Sequence, residues 1–287
     1  MQHCVIDSHH HLWDLLVHPQ PWIDETMAAI DRSFDVDDLR AAMAGTAVTH
    51  SVVVQAVPEP AETEQLLAIA NDTVEIVGVV GWVDLTATDV DAEIGRLRDV
   101  PGGDLLVGVR HIVQAEPAGY LDRPDVRRGI AAVGRAGLAY DLLLRAEQLP
   151  ESHRLAMALP GTRFVLDHLA KPDIRGGDMQ AWRDDLLALA ACENVAAKLS
   201  GLVTEADRGG WRVEDLASVV DTAVEAFGPQ RLMFGSDWPV CLLAATYGRW
   251  VATAEELLAP LGAEDRARVW AGTAVDVYLG GILPAVG

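Results

Sequence analysis

The stretch Val5-Ile6-Asp7-Ser8-His9-His10-His11 opens the chain's alternation of strands and helices, and its pattern points to the fold. Alternate side chains of an extended strand face the same side, so His9 and His11 share a side with Asp7 while His10 points the opposite way. A carboxylate and two imidazoles on one wall suit a metal site or a site that polarises a carbonyl group. Histidines that continue an apolar strand are not a terminal purification tag, and we interpret them as functional.

Short apolar, β-branched runs recur along the chain with helix-like segments between them, which is typical of parallel strands covered by crossover helices. We count eight such runs, the number that closes a barrel. The sequence therefore predicts a single (β/α)8 TIM barrel over residues 1–287, distorted or with elaborated loops at its C-terminal face. An open doubly wound sheet is the competing architecture, although no glycine-rich phosphate turn follows the first strand. The predicted strands are residues 4–7, 51–55, 76–82, 105–110, 139–144, 163–167, 195–199 and 232–235.

The segments between these runs carry helix signals. Asp35 and Asp89 each precede an amphipathic stretch, and aspartate side chains cap the free N–H groups of a helix start. Apolar residues recur at the helical period in most of the segments. The predicted helices are residues 36–43, 62–69, 90–97, 124–136, 146–159, 179–192, 213–227 and 263–278.

The amino-acid composition limits the kinds of partner that we expect this protein to bind. The formal net charge of −21 would repel phosphate backbones and anionic lipid, which argues against nucleic-acid and membrane partners. Cys4, Cys192 and Cys241 have no CxxC spacing and fit free thiols in a reducing compartment. The sequence shows no signal-peptide pattern and no apolar run of membrane-spanning length. We expect a cytoplasmic protein that acts on a small molecule, and a homo-oligomer is left open.

Functional groups of such a barrel gather where its strands end. His9 and His11 follow the first strand, His168 the sixth and Asp237 the eighth, which closure brings beside the first. A hydrolase with a Lewis acid needs nitrogen or oxygen ligands around one ion and a base for the attacking water. We predict that His9 and His11 hold the ion, that His168 is a third catalytic nitrogen, and that Asp237 is a ligand or the base.

Basic groups at the strand ends suggest substrate contacts. Arg110 suits a substrate carboxylate or sugar oxygen, or else neutralises the acidic rim. Only one of Arg110 and His111 should face the barrel axis, and the sequence leaves open which one. Lys198 is predicted to stabilise an oxyanion or to pair with Asp237, whereas Lys171 is predicted to orient a loop.

Three tryptophans, Trp13, Trp82 and Trp238, follow strand ends and are candidates for an apolar floor under a substrate ring, with plain packing as the alternative. The sequence contains no GxSxG elbow, no phosphate-binding loop pattern and no HExxH helix. Serine hydrolase, nucleotide hydrolase and metalloprotease functions thus lose their usual support.

Taken together, five stretches resemble the amidohydrolase superfamily, in its amidohydrolase-related branch that contains sugar and muconolactone lactonases. The likeness spans nearly the whole chain. It implies a (β/α)8 barrel, a hydrolase of lactones or related esters, and a site built from His9, His11, His168 and Asp237. It also implies one divalent ion, zinc first among the candidates, or catalysis without a metal. The stretches are Ile6-Asp7-Ser8-His9-His10-His11-Leu12-Trp13-Asp14, Gly108-Val109-Arg110-His111, Asp167-His168-Leu169-Ala170-Lys171-Pro172, Lys198-Leu199-Ser200-Gly201 and Arg231-Leu232-Met233-Phe234-Gly235-Ser236-Asp237-Trp238-Pro239.

Two departures from the family pattern matter. Binuclear members of the superfamily carry a bridging lysine or carboxylate on the fourth strand, where this chain has Arg110-His111, so a two-metal site is not expected. Gly272-Thr273-Ala274 stands where relatives commonly have Gly-Asn-Ala, and we interpret this as a change of helix cap.

The preferred hypothesis is therefore lactone hydrolysis, in which Asp237 takes a proton from the attacking water and His168 or Lys198 stabilises the oxyanion. A non-oxidative decarboxylase of an aromatic or unsaturated acid is the nearest alternative, and a non-catalytic ligand- or metal-binding barrel is a second. Specificity is expected in loops 15–32, 175–178, 204–212 and 241–249, with Trp22 as a lid anchor.

Overall fold

Eight parallel strands form one sheet in the computed structural model, which describes residues 4–177 and 179–284. Each strand is hydrogen-bonded to the next along the chain, so the sheet order is the sequence order. Asp178, which the sequence places in a specificity loop, lies outside the described residues. The strands are β1 (Ile6–His10), β2 (His50–Val54), β3 (Ile76–Gly81), β4 (Leu106–His111), β5 (Ala139–Leu142), β6 (Arg163–Leu166), β7 (Val195–Leu199) and β8 (Leu232–Phe234).

Backbone hydrogen bonds join the first strand to the residues after the last. The N–H of His11 donates to the carbonyl of Trp238 at 2.7 Å, and the N–H of Asp237 donates to the carbonyl of His9 at 2.8 Å. His10 and Trp238 also form a parallel bridge. The sheet is therefore a (β/α)8 TIM barrel, which confirms the predicted fold, and the open doubly wound alternative is wrong.

Helices alternate with the strands and cover the barrel. Asp35 and Asp89 cap α1 and α3 as predicted, each accepting backbone N–H bonds with its carboxylate. The helices are α1 (Val36–Met43), α2 (Pro60–Asn71), α3 (Val90–Arg98), α4 (Pro124–Arg135), α5 (Leu149–Ala158), α6 (Gln180–Ala190), α7 (Leu202–Glu205), α8 (Val213–Phe227), α9 (Tyr247–Leu258), α10 (Ala263–Ala267) and α11 (Thr273–Tyr278).

Predicted and observed elements differ in several places. β1 runs on to His10, because His10 still pairs with Val53 of β2 after an irregularity in register. The sequence did not predict α9, whose start was assigned to a loop. The predicted terminal helix is divided into α10 and α11 by a π-helical turn, Arg268–Gly272.

The core has two parts, one inside the barrel and one between the barrel and the helices. Strand residues are buried on both faces, as expected for parallel strands enclosed by helices. None of the described helices combines the length and the apolar character that crossing a membrane requires.

Candidate active site

One carboxylate oxygen lies among three imidazole rings at the C-terminal end of the barrel. Oδ1 of Asp237 is 3.5 Å from Nε2 of His11, 3.7 Å from Nε2 of His9 and 3.8 Å from Nε2 of His168. The two Nε2 atoms of His9 and His11 are 3.2 Å apart. All four side chains are buried. The residues that the sequence singled out at three distant strand exits thus meet at one point.

The other ring nitrogen of each histidine is engaged away from this point. Nδ1 of His11 lies 2.7 Å from the carbonyl oxygen of Val54, and Nδ1 of His168 lies 2.8 Å from Oγ of Ser200. Nδ1 of His9 lies 3.2 Å from Oδ1 of Asp167. Partners of this kind fix the ring orientation and leave the Nε2 lone pair free. His9, His168 and Asp237 each bring one donor atom within 4.8 Å of the others, which suits a divalent metal. Nε2 of His11, 3.5 Å from Oδ1 of Asp237, is a further nitrogen beside them.

The pKa shifts of these four side chains also favour the binding of a cation. Burial lowers the pKa of His168 to about 4, and it also lowers the pKa of His9 and of His11. Burial alone would raise the pKa of Asp237, but the neighbouring histidines, His168 first, hold it below its usual range. At neutral pH the rings are thus neutral and the carboxylate is ionised, which is the protonation state in which these groups bind a cation.

Asp7 lies beneath the site and joins its two sides. Its Oδ1 accepts the backbone N–H of Ser236 at 2.7 Å and that of His9 at 3.1 Å, and its Oδ2 accepts the hydroxyl of Tyr247 at 3.1 Å. The sequence had placed this carboxylate on one wall with the imidazoles. It instead ties the end of β1 to the residues that follow β8.

Backbone geometry at the site is unusual. Four consecutive residues from His168 to Lys171 have φ angles between 50° and 60°, and Asp237 has a φ of 55°. L-residues adopt this left-handed region at a cost of about 1–3 kcal/mol each, and such residues cluster at functional sites. The left-handed turn aims both His168 and Lys171 at the barrel mouth. A sequence pattern does not reveal it, because the turn contains no glycine.

Gly201 leaves the space that the His168 ring occupies. A Cβ atom at this position would lie 2.7 Å from Nδ1 of His168 and 3.2 Å from Oδ2 of Asp237. Gly201 also has a φ of 65°. Only glycine therefore satisfies both the backbone conformation and the close approach.

Arg110 faces the barrel axis and so settles the alternative that the sequence left open. Its Nη1 lies 3.1 Å from Oδ2 of Asp167 and 3.3 Å from Nε2 of His9, and its Nη2 donates to the carbonyl of Gln55. His111 points elsewhere: its Nδ1 lies 3.0 Å from Nε1 of Trp82.

Lys198 lies inside the barrel and is fully buried. Its Nζ is 2.6 Å from Oδ2 of Asp141, 3.0 Å from Oδ1 of Asp167 and 3.2 Å from Nδ1 of His9. The suggested pair with Asp237 is therefore wrong. Lys198 lies near Nδ1 of His9, whereas Asp237 lies nearest to Nε2 of the same ring. A role for Lys198 at an oxyanion stays a prediction.

A cavity of about 300 Å³ opens above the histidines. Trp13 and Trp22 form part of its wall, with their rings edge-to-face and their centroids 5.9 Å apart. Arg110 and Lys171 bring positive charge to it. Its other described lining residues are His11, Ala56, Ile112, Gln114, Ala115, Leu143, His168, Asp237 and Val240.

Three residues predicted to contact substrate lie away from this lining. Trp82 and His111 pair with each other, and His111 also stacks on Tyr120 with ring centroids 5.0 Å apart. Trp238 is buried and packs edge-to-face on Phe34. The indoles of Trp82 and Trp238 pack against protein side chains, and plain packing is the alternative that the sequence left open for the tryptophans.

A second cavity, of about 400 Å³, lies on the other side of Trp13. Its wall includes Phe34 and Leu66 together with the carboxylates of Asp14 and Glu62. The indole of Trp13 lines both cavities.

Sequence reasoning missed several members of the site. Asp141 and Asp167 are fully buried carboxylates in otherwise apolar strand segments, and this was a signal, because charged residues are rarely buried without a partner. Ser200 lies in the Lys198-Leu199-Ser200-Gly201 motif, and nothing in that motif predicts its contact with His168. Lys171 was assigned to a loop, because its direction depends on the left-handed turn.

A family model described as amidohydrolase matches residues 6–279. The chain belongs to the amidohydrolase family. This amidohydrolase is 40% identical over 285 residues to an L-fucono-1,5-lactonase of Burkholderia multivorans, a match that covers 95% of each protein. The confirmed family also accounts for the resemblance carried by the sequence motifs.

Solved structures give the same result for the fold. A crystal structure of an amidohydrolase from Burkholderia multivorans with bound zinc has 39% sequence identity and a TM-score of 0.91, and the match covers 96% of this chain and 99% of that one. A 5-carboxyvanillate decarboxylase from Sphingomonas paucimobilis has 17% identity and a TM-score of 0.61, covers 96% of this chain and 99% of its own, and shares the fold alone. Together with the curated relatives, the family identifies this amidohydrolase as a hydrolase.

Proposed function

We propose that this amidohydrolase opens a sugar lactone by attack of water on the ring ester carbonyl. The observation that carries the proposal is the ionised Asp237 beside three neutral imidazoles at the base of a tryptophan-walled cavity. Two relatives of 38–40% identity, both named L-fucono-1,5-lactonase, support a sugar lactone over other esters.

The proposed cofactor is one zinc ion held by Asp237 together with His9, His11 and His168. Nitrogen and carboxylate ligands suit zinc, and the related crystal structure with bound zinc supports this choice. A second ion is not proposed, since Arg110 occupies the fourth-strand position at which binuclear members carry a bridging lysine or carboxylate, and a guanidinium is not a bridging ligand. Bound zinc would supply a Lewis acid beside the ester carbonyl.

The remaining steps of the proposed reaction are assigned to individual side chains. Asp237 accepts a proton from water as the water oxygen bonds to the carbonyl carbon. The tetrahedral carbon then expels the ring oxygen, which takes the proton from Asp237, so the product is a hydroxy acid. Arg110 is held by Asp167 and its positive charge lies beside the reacting carbonyl, where it stabilises the developing oxyanion.

Binding of the substrate is assigned to the cavity wall. Trp13 and Trp22 offer flat faces to a sugar ring. Lys171 lines the cavity, and its ammonium forms no ion pair with the described residues, so it is available for a ring hydroxyl or for the product carboxylate.

Hydrolysis in ¹⁸O-labelled water tests the reaction class. We expect L-fucono-1,5-lactone and related aldonolactones to give the hydroxy acid with one ¹⁸O in its carboxylate, and the same sample to contain about one zinc per chain. Release of carbon dioxide from aromatic acids without label uptake would instead support decarboxylation. Tight ligand binding without turnover of any lactone, ester or acid would leave only a binding protein.

A further inference from the structure

Helix α11 packs into the barrel from the face opposite the candidate site. Ala274, Val275 and Tyr278 of α11 pack against interior side chains of the strands, and together these form the inner core. Gly108 of β4 lies beside the Tyr278 ring, since a Cβ there would be in van der Waals contact with its Cε1, at 3.5 Å. The hydroxyl of Tyr278 therefore reaches the middle of the barrel.

A continuous series of hydrogen bonds and ion pairs runs from this hydroxyl to the candidate site. The Tyr278 hydroxyl donates to Asp141 at 2.8 Å, and Nζ of Lys198 donates to the same carboxylate at 2.6 Å. Lys198 also lies 3.0 Å from Oδ1 of Asp167, which in turn lies 3.2 Å from Nδ1 of His9. Every residue in the series is buried.

The buried charges along this series balance one another. The carboxylates of Asp141 and Asp167 face the cations of Lys198 and Arg110, so His9 can remain neutral and donate its Nδ1 proton to Asp167. Water does not reach these groups, so a lost hydrogen bond leaves a buried polar atom unpaired. Asp141 has two side-chain partners among the described residues, and removing the Tyr278 hydroxyl leaves it with Lys198 alone. The Asp141 carboxylate is then free to turn, and Lys198, which is hydrogen-bonded to it at 2.6 Å, would turn with it and change its distance to Asp167.

We propose that Tyr278 is a positioning residue, which fixes the ring of His9 through Asp141, Lys198 and Asp167. The inference rests on the proposed function for its effect on turnover, but its effect on His9 is independent of the substrate. A residue of the last helix thereby controls the geometry of a site at the opposite end of the barrel.

The test compares the loss of the Tyr278 hydroxyl with the loss of another buried tyrosine hydroxyl. Tyr278→Phe removes the hydroxyl that the series uses. Tyr140→Phe is the matched control, because the Tyr140 hydroxyl is also buried but has no hydrogen-bond partner among the described residues. Both variants are made in the full chain and checked for native folding by near-ultraviolet circular dichroism.

Three quantities are measured: zinc affinity by competition with a chromogenic chelator, the ¹⁵N shifts of the His9 ring in histidine-labelled protein, and lactone kinetics. For Tyr278→Phe we expect zinc affinity and kcat to fall about tenfold, in the range found for outer partners of metal ligands, with KM unchanged. The His9 shifts should move away from those of a ring protonated at Nδ1. Tyr140→Phe should match the wild type in all three.

Equal zinc affinity and equal His9 shifts in the two tyrosine variants would overturn the inference, whatever the substrate proves to be. If the wild type hydrolyses no lactone, the proposed function fails, while zinc affinity and ring shifts still decide the role of Tyr278. If Tyr278→Phe does not fold, Asp141→Asn interrupts the same series one residue closer to His9. A wild-type zinc affinity and wild-type shifts in that variant would equally overturn the inference.

Discussion

His9 and Asp237 lie close together at two places: a backbone hydrogen bond links them, and their side chains approach each other in the candidate site. The Asp237 N–H donates to the His9 carbonyl at 2.8 Å, and Oδ1 of Asp237 lies 3.7 Å from Nε2 of His9. The bond that closes the barrel thus also sets the distance between two candidate ligands. Geometry at the site therefore depends on closure of the sheet.

Asp237→Asn tests the proposed base. The amide keeps the size of the side chain but neither carries the negative charge nor accepts a proton at neutral pH, so we expect kcat to fall by about 10²–10⁴-fold. Steady-state kinetics and zinc analysis on folded protein measure the effect. Asp31→Asn, at an exposed carboxylate, should be as active as the wild type. A fully active Asp237→Asn protein would exclude Asp237 as the base.

Gly201→Ala tests the space beside His168. The added methyl would lie 2.7 Å from the ring, so the ring must turn and we expect zinc affinity and kcat both to fall at least tenfold. Gly137→Ala is the control for backbone strain, because Gly137 has a φ of 75° and nothing within 4 Å of the added Cβ. Equal activity in the two variants would show that the contact with His168 is unimportant.

Lys171→Met tests substrate binding at the cavity. The variant keeps most of the length of the side chain and removes the charge, so we expect KM for a sugar lactone to rise about tenfold while zinc content is unchanged. Lys171→Arg should recover part of the loss. The exposed Arg175 offers the comparison, since Arg175→Met removes a charge from the same loop outside the cavity lining. An unchanged KM in Lys171→Met would return this residue to the loop-orienting role.

His10 supplies a prediction about stability and pH. Its ring is fully buried, neither ring nitrogen has a hydrogen-bond partner among the described residues, and burial lowers its pKa to about 3. The unfolded chain binds a proton at His10 near pH 6.5, so the unfolded state holds more protons between about pH 3 and 6.5. The stability contributed by the neutral ring is present above pH 6.5 and is lost as the pH falls through that window.

His10→Leu should remove this dependence and the cost of the unpaired nitrogens. We expect the free energy of unfolding to rise by about 1 kcal/mol at pH 7, and by more at pH 5, in urea titrations. His153→Leu, at a half-buried histidine on α5, should show no comparable gain at pH 5. A loss of stability in His10→Leu at both pH values would mean that the ring nitrogens are satisfied.

The sequence predicted the parts of this molecule that depend on local patterns. Eight β-branched runs and their capped helices identified the barrel, and the exits of three strands identified His9, His168 and Asp237. Side-chain direction was less predictable. Lys198 and Lys171 both follow strand exits, yet one points into the barrel and the other into the cavity, because a left-handed turn reorients the second.

Some contacts between distant residues could not be predicted from the sequence. Nothing local in the last helix indicates that Tyr278 reaches Asp141, since the contact joins residues 137 positions apart in sequence. The same holds for Gly201, whose requirement for glycine depends on where the ring of His168 lies. Such constraints belong to the closed barrel and not to any segment of it.

The position of Trp13 has a consequence for how substrate range can change in this enzyme. Its indole lines both the cavity of about 300 Å³ at the histidines and the neighbouring cavity of about 400 Å³. A substitution to a small residue would enlarge the space beside the histidines and leave His9, His11, His168 and Asp237 unchanged. We expect such a variant to accept bulkier lactones, such as those of disaccharide acids, than the wild type accepts.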